Sequence, residues 1–171
     1  SLLEQMPKNK GIWVHTAGSV PMDIFAGYHN KYGVVYPFQT FSKTRKVDFS
    51  EIPVFIESNT NQTLNVLYKI AREISEKVID LSSDKRKYLH LTGVFACNFV
   101  NHLYRISEDI LKTESIPFDL VLPLIEETAS KVKSLTPREA QTGPAIRFDK
   151  NIMDKHISLI PDERRKEIYR L

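Results

Sequence analysis

Two imidazoles, two side-chain amides and a thiol are set into the most apolar stretch of the chain, residues 89–111: His90, Cys97, Asn98, Asn101 and His102. At about 100° per residue, His90, Gly93, Cys97, Asn101 and Tyr104 fall on one helical stripe, within roughly 40° either way. An imidazole titrates near neutrality and can pass a proton, while an amide can orient a carbonyl or hydroxyl group. Buried groups of this kind must be hydrogen-bonded, so the stripe needs a partner: another helix, water or a ligand. Each residue taken alone reads as a satisfied core polar group. Together, with Gly93 opening a gap among them, they read as one wall of a pocket. Asn98 is turned about 80° away from His90 on the same wheel.

Three polar loops could face that wall. His15-Thr16-Ala17-Gly18-Ser19 ends a short apolar run, and such turns at the carboxyl edge of a sheet let backbone amides approach a ligand; the alternative is a plain glycine-containing turn. Tyr36-Pro37-Phe38-Gln39-Thr40-Phe41-Ser42 follows a second run, with Pro37 fixing the exit angle and Gln39, Thr40 and Ser42 offering donors and acceptors. Glu139 to Asp149 holds Gln141, Thr142 and Arg147 around a Gly-Pro turn, or is a solvated loop. Other chemistries lack their residues. There is no G-x-G-x-x-G or Walker A sequence, no G-x-S-x-G elbow, and no metal-ligand set: the histidines lack i, i+4 pairing and the cysteine is single. In an apolar helix Cys97 is expected to stay a neutral thiol.

These residues are positioned by a chain that changes character near Ser82. Before it, Gly11–Ala17, Tyr32–Phe38, Ile52–Glu57 and Lys77–Leu81 read as strands. Between the last two, Asn61–Glu76 has helical spacing at Leu64, Leu67, Ile70, Ala71 and Ile74, with Thr60 as its N-cap. Strand, helix, strand at this spacing is a crossover unit. After Ser82 the pattern is wholly helical. Ser83 or Asp84 caps a long helix, Phe118–Leu135 gives another with Pro123 near its first turn, and Asp149–Ile160 and the residues from Pro161 onward give two more. The fold class is α/β followed by all-α. Because residues 89–111 are apolar all round, the long helix is expected to be a buried central one.

Composition narrows the partners. The 24 Lys and Arg against 21 Asp and Glu leave a net charge of +3, spread along the chain without a basic, aromatic-laced surface, which argues against nucleic acid. The clusters Lys85-Arg86-Lys87 and Arg164-Arg165-Lys166 read as solvated helical faces. One cysteine fits a reducing compartment, and neither a signal peptide nor a membrane-length apolar run is present; the expected location is the cytoplasm. Leu2, Leu3 and Met6 resemble the last turns of a helix, and both ends look cut from something longer.

H-T-A-G-S, Y-P-F-Q-T-F-S, L-H-L-T-G-V-F-A-C-N-F-V-N-H-L-Y, P-L-I-E-E-T and Q-T-G-P-A-I-R-x-D together resemble a family assigned as NADP-dependent oxidoreductases, with a Rossmann-like first domain and a helical C-terminal domain of unassigned function. The layout is more distantly similar to pyrroline-5-carboxylate reductase, prephenate dehydrogenase and the 6-phosphogluconate dehydrogenase group. The resemblance implies that residues 1–82 are the later strands of the NADP-binding domain and 83–171 a helical dimerisation and substrate domain. It also implies that the opening strand with its glycine-rich turn precedes Ser1, so this chain alone should bind dinucleotide poorly and be inactive by itself. His15, Ala17, Gly18, Ser19 and Pro37 would contact the cofactor. Gln39, Thr40, Asn98, Gln141, Thr142 and Arg147 would bind a small carbonyl, imine or hydroxy substrate. His90, Asn101 and His15 would be catalytic. A lysine four residues before an asparagine in the hydroxyacid dehydrogenases aligns with Cys97 and Asn101, which moves the proton relay to His90, His15 or water. A homodimer through the helical domain completes the expectation. The rival reading is a non-catalytic dimeric ligand-binding or sensor module.

Overall fold

The four runs rich in Val, Ile, Tyr and Phe form four short strands in a computed structural model that describes residues 2–7 and 9–171. After a single helical turn, α1 (Leu2–Gln5), the strands β1 (Trp13–His15), β2 (Tyr32–Pro37), β3 (Val54–Ser58) and β4 (Val78–Asp80) build one sheet in the order β1-β2-β3-β4. The sheet is mixed: β1 runs parallel to β2, β2 antiparallel to β3, and β3 parallel to β4. The parallel β3–β4 pair is the expected crossover, made by α2 (Asn61–Arg72). Thr60 caps α2 by accepting from the Thr63 backbone N–H. The core lies beneath this helix, where Val54, Ile56, Leu67, Ala71 and Val78 are buried. Gly33 marks the tightest approach of β2 and β3, because a side chain there would run into the Glu57 carbonyl and Leu67.

Helical structure follows from α3 (Ser83–Gly93), which continues into a π-helical segment, Val94–Phe99. After it come α4 (Val100–Thr113), a 3-10 turn (Phe118–Val121), α5 (Leu122–Lys131), α6 (Lys150–Leu159) and α7 (Glu163–Arg170). Pro123 stands in the first turn of α5, and Asp149 and Asp162 cap α6 and α7 through their side chains. The fold is thus α/β followed by all-α. By packing, the chain divides after Phe99, so α3, which the sequence pattern grouped with the helices after Ser82, belongs to the same compact unit as the sheet. Among the described residues no helix is long and apolar enough to cross a membrane.

In the second unit, Arg165 Nη2 donates to Asp109 Oδ2 at 2.6 Å and ties α7 to α4, and the His156 Nδ1–Tyr169 hydroxyl contact of 2.7 Å ties α7 to α6. Ile160 is the one buried hydrophobic side chain of this unit among the described residues.

Two expectations about the helices are corrected. The stretch 89–111 is not buried in the chain: Phe95 is 60% and Phe99 50% exposed, Cys97 is exposed, and Leu91 and Leu103 are also open. A helix apolar all round needs cover on every side, and this chain supplies less than that. The basic cluster Lys85-Arg86-Lys87 is solvated only at the two lysines. Arg86 is 1% exposed. Its Nη1 donates to Glu57 Oε2 at 2.6 Å, and its Nη2 to the Val20 carbonyl at 2.6 Å and to Ser83 Oγ at 3.1 Å, while Nε has no partner. Glu57 also accepts from the Ser83 backbone N–H at 2.8 Å and its hydroxyl at 2.6 Å, and Ser83 Oγ accepts from the Met22 N–H at 2.9 Å.

Removing one member of a buried ion pair strands the other. Arg86→Met should therefore lower unfolding free energy by about 3–5 kcal/mol, read from urea denaturation. A loss below about 1 kcal/mol, the worth of an exposed pair, would show that the pair does not hold β3 and α3 together.

Candidate functional site

The parallel register that sets His15 of β1 beside Val34 of β2 brings both strands' carboxyl ends to one edge of the sheet. The H-T-A-G-S turn leaves β1 there, and Phe38-Gln39-Thr40-Phe41 leaves β2. Both ends of the first turn are tied down. At the start, the Ala17 N–H donates to His15 Nδ1 at 3.2 Å, which assigns the ring proton to Nε2 and lets Nε2 donate to the Pro21 carbonyl at 3.4 Å. At the far end, Arg86 holds the Val20 carbonyl and Ser83 the Met22 N–H.

Between these anchors the backbone of Gly18 lies against two side chains. A Cβ at this position would stand 2.5 Å from His90 Nδ1 and 2.7 Å from the Tyr36 hydroxyl. These two groups are themselves 3.1 Å apart, and their rings are inclined at 67°. Burial pushes the Tyr36 hydroxyl up from its ordinary value of 10, with the Arg86 charge opposing. Phe38, two residues on from Tyr36, packs edge-on to Phe55 and reaches α3 at Gly93, where a Cβ would come within 3.1 Å of its ring. At Gly18 the His90 ring and the Tyr36 hydroxyl already fill the place of a Cβ, whereas at Gly93 a Cβ would crowd the edge of the Phe38 ring.

Tyr36, Phe38, Gln39, Thr40, Phe41, His90, Gly93, Val94, Cys97 and Asn98 line a cleft of about 350 Å3, at the lower end of the volumes usual for small-molecule pockets. It combines an aromatic floor, a phenol–imidazole pair, two amides, a hydroxyl and a thiol. Such a set can hold a small polar molecule against a ring and move a proton to or from it.

Of the residues expected from sequence, His90, Gln39, Thr40 and Asn98 come together in this cleft. Gly18 is buried against His90 and Tyr36, Pro37 ends β2, Ala17 is half-buried and Ser19 exposed. His15 does not line the cleft. Both its nitrogens are used within its own turn, and its pKa is held below the ordinary 6.5 by burial; the Pro21 carbonyl opposes, Arg86 adds to the lowering, and Glu57 opposes. Asn101, Gln141, Thr142 and Arg147 belong to the second unit and are exposed there. Asn98, off the stripe, lines the cleft beside Cys97, which is on it. The segment Val94–Phe99 is π-helical and closes i→i+5 turns, so Asn98 follows Gly93 by one such turn.

Tyr36 and the Arg86–Glu57–Ser83 group were given no role from sequence, although signals for both exist. Tyr36 and Phe38 share a strand face by their spacing of two. Extending the helical stripe backwards from His90 meets Arg86 at i−4 and Ser83 at i−7.

Residues 52–171 match the model of a domain family of unknown function, DUF2520. The crystal structure of a Bacteroides fragilis protein described as a "putative NADP oxidoreductase" is similar at 49% identity and a TM-score of 0.91, with 93% of this chain and 62% of that one covered. The present chain therefore spans 62% of that relative's length. A Thermotoga maritima protein, 24% identical with a TM-score of 0.73 over 92% of this chain and 63% of its own, shares the fold. No curated protein matches the chain.

Gly18→Ala tests the packing at the cleft. The methyl group meets a ring and a hydroxyl, so the turn or the pair must move. The expected result is a destabilisation of about 1–3 kcal/mol, as for overpacking, with loss of the Tyr36–His90 hydrogen bond in NMR. An unchanged hydrogen bond together with wild-type stability would contradict the close approach.

Proposed function

The chain belongs to the DUF2520 family, and we propose that it forms the substrate end of an oxidoreductase that moves hydride between NADP(H) and a small carbonyl, imine or hydroxy compound. The observation that carries this reading is the cleft at the carboxyl ends of β1 and β2, where a phenol–imidazole pair faces a space lined by Gln39, Thr40 and Asn98. Ligand crevices of α/β sheets lie at that edge, and the name of the 49% identical Bacteroides relative agrees with the chemistry. A space of about 350 Å3 suits a nicotinamide ring or a small substrate and is too small for a whole dinucleotide. The side-chain amides and the Thr40 hydroxyl match a carboxamide or carbonyl oxygen. When bound, the reduced nicotinamide supplies the hydride.

In this reading Ala17, Ser19 and Pro37 flank the nicotinamide, and Gln39, Thr40 and Asn98 hold substrate. Gln141, Thr142 and Arg147 are assigned to the substrate side as well, from the same chain or a second copy. His90 is the acid/base candidate. Asn101 is retained as a substrate clamp, whereas His15 serves its turn. The single cysteine fits a reducing compartment, the cytoplasm. A homodimer supplies cover that the helices lack: a helical unit with one buried hydrophobic residue holds little core of its own, and Leu91, Phe95 and Phe99 are open to a partner.

Titrating the full-length protein with NADPH, followed by fluorescence, should give an affinity within the ordinary span of about 1 μM to 1 mM and reduction of a member of a carbonyl and imine panel. Absence of both binding and turnover would overturn the reading. Sedimentation should show a dimer with an interface above about 2,000 Å2, which Phe95→Glu dissociates; a wild-type monomer at micromolar concentration would remove the dimer.

A further inference from the structure

Gln39, Thr40 and Asn98 can bind an oxygen atom, but none holds a proton it can release near neutral pH. The Tyr36 hydroxyl can, and it lies 3.1 Å from His90 Nδ1. Gly18 covers the pair from one side, within 2.7 Å of both groups if a Cβ is drawn on it. On the other side both residues line the cleft. The hydrogen bond thus has one face closed by backbone and one open to a ligand. We propose that Tyr36 is the proton-donating hydroxyl of the site and that His90 restores its proton, acting as the positioning partner. The proposal rests on the oxidoreductase reading above and deepens it.

The step balances as follows. Reduced nicotinamide, when bound, would supply a hydride to the carbonyl or imine carbon, and the π electrons of the double bond would go to oxygen or nitrogen. That atom takes the Tyr36 hydroxyl proton. The phenolate oxygen then takes the Nδ1 proton of protonated His90. The products are the alcohol or amine, oxidised nicotinamide, a neutral phenol and a neutral imidazole. In the reverse direction the imidazole accepts the proton through the same hydroxyl. Burial, which raises the Tyr36 pKa, keeps the resting hydroxyl protonated and makes a lasting phenolate unfavourable, so a proton source in contact with it is needed. The other ionisable groups nearby are Arg86 of α3 and Glu57 of β3, locked to each other, and Cys97, which lines the same cleft.

Tyr36→Phe keeps the ring and removes only the hydroxyl. With the full-length protein, NADPH and a panel of small aldehydes, 2-keto acids and cyclic imines, the variant should bind NADPH within about twofold of wild type. Its kcat should fall about 100-fold or more with little change in KM, as for loss of an acid/base group. Independently of turnover, the 15N resonance of His90 Nδ1 in the substrate-free protein should shift when the hydroxyl is removed. A variant within about threefold of wild-type kcat, or an unmoved Nδ1 resonance, overturns the relay and leaves the oxidoreductase reading standing. A wild-type protein that reduces nothing on the panel overturns both. Should Tyr36→Phe fail to fold, His90→Gln carries the test: kcat must fall at least about tenfold with NADPH affinity retained, and a wild-type kcat overturns the proposal.

Discussion

Arg86 places a full positive charge where almost no water reaches, and the sheet-containing unit is arranged around satisfying it. Taking such a charge out of water costs several kcal/mol, which only an opposite charge and good hydrogen bonds offset. The offset comes from three directions: the Glu57 carboxylate of β3, the Ser83 hydroxyl at the start of α3, and the Val20 carbonyl beyond the β1 turn. None is close to another in sequence. Their meeting therefore fixes the end of a strand, the entry to a helix and the path of a loop at once. A hydrophobic side chain of equal volume could fill the space but could not select among registers of α3 against β3. That specificity is the physical reason to keep a costly ion pair in a small fold.

The cleft inherits its geometry from that arrangement. Arg86 and His90 are one helical turn apart on α3, so fixing the guanidinium also fixes where the imidazole emerges. Val20 and Met22 are held by Arg86 and Ser83, which sets the turn that carries Gly18. The same two residues, through different bonds, thus bring the backbone of one loop against the Tyr36–His90 pair. A cleft placed on a helix and a strand, with its covering turn anchored at both ends, has the support that the proposed proton transfer needs. The pressure on Gly18 follows: with the turn in this place, a side chain there would meet the His90 ring and the Tyr36 hydroxyl.

Much of this was legible in the residues, and the exceptions have physical causes. Strand runs such as Tyr32–Phe38 and the cap Thr60 announce themselves through local chemistry: β-branched and aromatic side chains, and a short polar side chain before apolar periodicity. His90 drew notice as a polar group in an apolar segment that needs a partner, and Gln39 and Thr40 as donors and acceptors on a loop leaving a strand end; the cleft brings them together with Asn98. Arg86 was misread since charge in sequence signals solvent, and only the three-dimensional meeting with Glu57 makes burial tolerable. Asn98 falls off the His90 stripe at constant pitch, and the π-helical segment that brings it to the cleft is marked by no composition rule. His15 illustrates a different limit. The residue type announces chemistry, but two hydrogen bonds within its own turn occupy both nitrogens.

Hydrophobic burial is distributed unevenly along this chain. Beneath α2 the sheet carries a conventional core of valine, isoleucine, leucine and alanine, whereas α4, α5, α6 and α7 bury no side chain of their own. Caps and ion pairs such as Arg165–Asp109 order helices locally, but exposed pairs contribute little, and helices of 8 to 14 residues are marginal in water without tertiary packing. Leucine and isoleucine are nonetheless frequent there. Apolar helical faces such as those of Leu91, Phe95 and Phe99 are thus left open in the chain as it stands. In the proposed homodimer a second copy would meet them with the same surface, since a twofold interface sets each open face against its equivalent. On that proposal the apolar stretch 89–111, which reads as a core helix in the sequence, would have part of its core in the second copy.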